Sequence, residues 1–72
     1  MNEANMRKFL EMKPFLPLTV TLSSGQQIVI DHPENVLLTK TKLVVADLGK
    51  DLVSVSPLLH VANVEYTEPA TL

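Results

Sequence analysis

Asp31, His32 and His60 are the side chains from which a zinc site could be assembled, and Lys40 and Lys42 are the pair placed to hold an anion. The zinc reading is weak. A structural or catalytic zinc is held by ligands at short, regular spacing, and a catalytic one also keeps an open position or a general base beside it. Here no short-spaced ligand pair exists. Serine, histidine and aspartate are all present, but no serine lies in a nucleophile-elbow context, and so small a domain has little room to exclude water from a triad. Lys40 and Lys42, flanked by Thr39 and Thr41, would contact phosphates if they stood at a hairpin tip, although such tips are usually just solvated. Arg7, Lys8 and Lys13 form the other basic group, and Glu3 and Glu11 dilute it into an ordinary charged helix face. The expectation is a chain that is not an enzyme and carries no metal or cofactor.

Size explains why chemistry is scarce. With 72 residues there is material for one domain. A domain this short buries only about 60% of the surface its unfolded chain exposes. There is no cysteine, so disulfides and thiolate metal sites are excluded as staples. Apolar residues make up 46% of the chain and only Phe9, Phe15 and Tyr66 are aromatic, so valine and leucine must fill the core. Self-association is the remaining common remedy for a small core. The net charge of −2 gives no general attraction to a polyanion, which confines nucleic-acid contact to local basic patches. The longest apolar run, Leu43 to Ala46, is far below the roughly 20 residues a membrane span requires. The N-terminus has no continuous apolar segment of the secretory kind, so the cytoplasm is the expected compartment.

The elements that must position these side chains follow from periodicity. Met6, Phe9 and Leu10 recur at helical spacing, Asn2 is available as N-cap, and Pro14 stops the helix, which predicts a helix over about 3–13. Its apolar stripe is narrow, so it is expected to lie across an open end of the fold or against a neighbouring subunit. Leu18, Val20 and Leu22 alternate with Thr19, Thr21 and Ser23, and Ser24-Gly25 turns the chain back through Gln26 to Asp31, predicting a hairpin. Asp31 to Glu34 is a break, Asn35 to Thr39 a short strand, and Lys40-Thr41 a weak turn. Leu43 to Asp47 is apolar on both faces, and Leu48 to Lys50 turns again. Val53 and Val55 alternate with Ser54 and Ser56 in a fifth strand. A 3₁₀ turn around Pro57 and a last strand from about His60 to Tyr66 follow, leaving residues 67–72 as a tail. The order predicts a mainly β domain spanning residues 1–72. In it an N-terminal α-helix precedes a strongly bent antiparallel small barrel of five or six strands, SH3-like or Sm-like, over about 17–66. An OB-fold would want its helix between the third and fourth strands, where only Lys40-Thr41 is available.

The segment Pro17 to Gly25 resembles the first hairpin of bacterial Sm-like proteins of the Hfq type, in which a short helix precedes a proline, an alternating strand and a glycine turn. Asp31 and Asn35 followed by Val36-Leu37-Leu38, and Leu59-His60-Val61-Ala62 near the last strand, resemble further parts of that pattern. The chain departs from it where Leu59 replaces a basic residue and Ile30 stands in place of a second glycine. Met6 to Tyr66 as a whole is similar to a group of uncharacterised bacterial proteins of about this length. The shared features are Pro14-Phe15-Leu16-Pro17-Leu18-Thr19, Gly25 and His32-Pro33-Glu34, and that group brings no activity with it. The Sm-like resemblance implies a homo-oligomer, a ring of edge-paired subunits that uses the strands on either side of Pro57. It also implies single-stranded RNA as a partner, with Asp31, His32, Asn35 and His60 as the loop residues that would contact it. A plainer reading makes Asp31 an Asx-type turn residue before Pro33 and both histidines polar loop residues.

Val29, Leu43, Val44 and Val61 cannot all face one interior, so some apolar area is expected at a subunit interface. The simplest alternative is a monomer with scattered exposed valines. From a different class comes an SH3-like protein-interaction module that binds its partner through a sheet edge or apolar groove and no nucleic acid. The acidic balance and the lack of aromatics near Asp31 and His32 favour it.

Overall fold

In the computed structural model, which describes residues 1–67, a single helix α1 (Glu3–Leu10) precedes six antiparallel strands. Asn2 caps α1 as expected, its Oδ1 accepting from the Asn5 N–H at 2.8 Å. The helix ends at Leu10, three residues before its expected limit. Lys13 precedes a proline and is pushed away from helical geometry, so the last turn cannot form.

β1 (Leu18–Leu22) and β2 (Gln27–Ile30) form the first hairpin. Its three-residue loop is closed by Gly25 N–H to the Leu22 carbonyl and Leu22 N–H to the Gln26 carbonyl, both 2.8 Å. Gly25 adopts φ +92°, the left-handed position this loop requires. Nothing lies within 4 Å of where its Cβ would stand, so a Gly25→Ala substitution meets no clash and its cost is conformational. We expect it to lower stability by about 1 kcal/mol in urea unfolding.

After β2 the chain makes a 3₁₀ turn (Pro33–Asn35), then β3 (Val36–Leu38), β4 (Lys42–Asp47), β5 (Leu52–Pro57), a second 3₁₀ turn (Leu58–His60) and β6 (Val61–Tyr66). Asn35, expected to open a strand, instead closes the first 3₁₀ turn. Two three-stranded sheets result, ordered β2-β1-β6 and β3-β4-β5. The mainly β class with a leading helix is as expected, but the strands do not close into a barrel. A continuous strand from β2 to β3 would have joined the sheets. Pro33, which lacks an N–H, falls in the middle of that path and breaks the ladder. The expected tail lies outside the described residues from residue 68 onward.

The core is aliphatic and lies between the sheets. Leu18, Val20, Ile28 and Ile30 from one sheet meet Leu43 and Val45 from the other, with Leu58, Val61 and Met6 filling the ends. Met6 is fully buried, and α1 caps this core through it, with Phe9 and Leu10 packed alongside. Phe9 adds an edge-on contact with Tyr66 at 5.8 Å between ring centres. No helix among the described residues is long and apolar enough to cross a membrane.

Candidate functional site

The six nominated side chains do not converge. Asp31, His32 and Asn35 line one depression of about 380 Å³ between β2 and the β4–β5 turn. Local structure explains their proximity: Asn35 N–H donates to the His32 carbonyl at 3.1 Å and winds Pro33–Asn35 into a turn that presents its flanks. The turn carries that backbone bond, and among the described residues no hydrogen bond to the Asp31 carboxylate accompanies it. His32 Nδ1 stands 4.0 Å from Glu34 Oε2, with both side chains largely in water, where such a pair contributes little.

Lys40 and Lys42 are at the other end of the fold. Thr39 organises their turn: its N–H donates to the Lys42 carbonyl at 2.9 Å, and its Oγ1 accepts from the Lys42 N–H at 2.9 Å. The two lysines border a depression shared with Met1–Glu3 and Pro57–Leu59. His60 closes the second 3₁₀ turn, and its carbonyl accepts from both the N–H and the Oγ of Ser23, at 2.7 and 3.1 Å. It borders a further shallow depression with Leu22–Ser24 and Ser56. Leu58 N–H donates to the Thr41 carbonyl at 2.8 Å, tying the lysine turn to the 3₁₀ segment that His60 ends. Lys40 and Lys42 therefore border one depression, His60 a second, and Asp31, His32 and Asn35 a third.

Two further features carry more weight than the nominated residues. The first is Asp47, at the end of β4, which borders the same depression as Asp31 and makes it acidic. Its Oδ1 accepts from the Lys50 N–H at 3.2 Å. Nothing in the local sequence couples positions 31 and 47, since the hairpin brings them together. The second is the direction of the β5 side chains. Ser56 is 6% exposed and inside, whereas Val53 and Val55 are 66% and 61% exposed. Register explains this, because Leu43 and Val45 of the core stand opposite Ser56 and Ser54. Leu58, buried and of the same parity, continues that inner row. Val55 is paired with Val44, and Val44 with Leu37, which is 63% exposed, so an apolar row crosses the outer face of the sheet.

Hydrogen-bond phase shows which residues own the free sheet edges. The Leu58–Thr41 bond continues the β4–β5 ladder, so Leu52, Ser54 and Ser56 pair with β4, and the backbone groups of Val53 and Val55 point away from it. By the same rule the Leu22–Gln26 bond assigns Ile28 and Ile30 to β1, leaving the groups of Gln27 and Val29 on the free edge of β2. On β6, the Thr67 N–H to Pro17 carbonyl bond leaves Val64 and Tyr66 on its outer edge.

Among the described residues no group of three histidine or acidic side chains is gathered as a metal site would need. Comparison with models of known protein families, with curated proteins and with solved structures finds no match for this chain.

Proposed function

We propose that this chain is a non-enzymatic β module that assembles with copies of itself, the β5 edge of one copy pairing with the β6 edge of the next. The observation that carries this reading is that Val53 and Val55 present unpaired backbone groups and exposed valine side chains from the same edge. A free, uncharged apolar strand edge is the feature monomeric β proteins avoid. Pairing unlike edges, β5 with β6, is a heterologous contact, which closes into a ring when the rotation per subunit permits. Light scattering on eluting protein tests it: the expected mass is several times the 8.0 kDa of one chain. A single-chain mass at micromolar concentration would overturn the proposal.

Single-stranded RNA is the proposed ligand of the assembled form, and the two lysines Lys40 and Lys42 beside one depression favour phosphate contact there. The Asp31–Asn35 depression, with Asp47 beside it, is electrostatically unfavourable for phosphate. We expect weak binding of uridine- or adenine-rich RNA at low salt. Replacing Lys40 and Lys42 by alanine should weaken it for all sequences alike and reduce the slope of log K against log salt by about 1.4. An unchanged slope in a titration over salt would remove the lysines from the interface.

A further inference from the structure

The free edge of β2 is bordered by open space along its whole length. The depression holding Asp31 and Asn35 adjoins a second, of about 310 Å³, and the two share Val29, Asp31, Val45 and Asp47. Together they form a groove with the unpaired backbone of Gln27 and Val29 on one wall and the end of the β4–β5 hairpin on the other. Its floor is apolar at Ile30 and Val45. Two carboxylates, Asp31 and Asp47, stand where the two halves meet, with His32 in one half and Lys50, the one lysine in the lining, in the other.

The geometry points to this groove as a docking site for an extended peptide segment that alternates basic and aliphatic residues and adds as a strand to β2. Three features select that occupant. Unpaired N–H and C=O groups at alternate positions are satisfied by an extended backbone and by no compact ligand. The apolar floor takes one set of the peptide's alternating side chains. The paired carboxylates take a lysine or arginine from the set between them, and they disfavour an acidic peptide or a polyanion. β2 spans four residues, about 13 Å of strand, so the peptide contacts are short and the affinity modest. The groove adjoins β5 at Leu52 and Ser54, but it offers the β2 edge and does not depend on the β5–β6 contact.

The test is fluorescence anisotropy with a labelled, end-capped peptide of alternating lysine and valine. It is matched by a glutamate–valine peptide and by a lysine–valine peptide N-methylated at alternate backbone nitrogens. A Val53→Lys/Val55→Lys background repels the basic probe from the β5 edge, so binding there is not mistaken for binding at β2. We expect saturable binding of the lysine–valine peptide alone, with the amide signals of Gln27 and Val29 shifted in NMR spectra. Val29→Pro removes an outward-pointing donor without taking a bond from β1, and should weaken binding about tenfold. Asp31→Asn with Asp47→Asn should weaken it and flatten its salt dependence. Equal binding of all three peptides, no binding at millimolar concentration, or shifts confined to other strands would overturn the proposal. If Val29→Pro fails to fold, the N-methylated peptide decides the same point on unaltered β2, since its equal binding excludes strand addition.

Discussion

Replacing Leu43 by alanine is expected to lower stability by about 3 kcal/mol, the middle of the range for a buried leucine whose surroundings cannot collapse into the space it leaves. Leu43 has no exposed surface and stands on β4, the central strand of its sheet, facing the other sheet. Both of its strand neighbours are fixed by ladder bonds, which limits relaxation into the cavity. A chain of 72 residues has a total stability of about 4–11 kcal/mol, so this one substitution removes a large share of it. With a urea slope of about 1 kcal/mol/M for so small a protein, the midpoint should fall by about 3 M at unchanged slope. Leu59→Ala is the control: Leu59 is 90% exposed, and its truncation should stay within about 0.5 kcal/mol. Equal shifts for the two variants would mean that the space between the sheets is not the core.

The second large effect is expected on assembly. Val53→Lys with Val55→Lys puts two like charges on the β5 edge and takes two aliphatic side chains out of each proposed subunit contact. Fully burying a valine contributes about 1.5–3 kcal/mol, so covering the exposed part of both contributes about 2–4 kcal/mol, and their removal should weaken the contact by about thirtyfold or more. Light scattering should then give the mass of one chain, 8.0 kDa, while circular dichroism keeps its β signal, because neither valine faces the core. Lysine on an exposed edge is also the device by which natural sheets avoid edge-to-edge contact. An assembly that survives both substitutions would exclude β5 as the joining strand.

Local patterns carried much of the architecture. Asn2 as cap, Ser23-Ser24-Gly25 as a loop and the alternation from Leu18 to Leu22 each rest on neighbouring residues, and each is found where expected. The break from Asp31 to Glu34 is equally legible, although the 3₁₀ turn within it and its effect on barrel closure are not. Proline marks an interruption without saying whether the two strands beside it stay in one ladder. The Val-Ser-Val-Ser pattern of β5 identifies a strand, but alternation is symmetric between faces. Only the register with β4 turns the serines inward. The candidate site suffers from the same limit. Asp31, His32 and Asn35 are together because they are close in sequence, while Asp47 reaches them through a hairpin whose tertiary position no local spacing encodes. His60 is grouped with Asp31 only through a family resemblance, and the fold of a single copy places the two at different depressions.

Pro57 closes β5 opposite Lys42, at a position whose missing N–H falls on the outer side of the strand. An incoming strand can therefore gain rungs at Val53 and Val55 but finds no donor at the next one, so sliding toward the 3₁₀ turn is penalised. In the proposed assembly Pro57 would thus be an end-stop that fixes the alignment of the strand added to this edge.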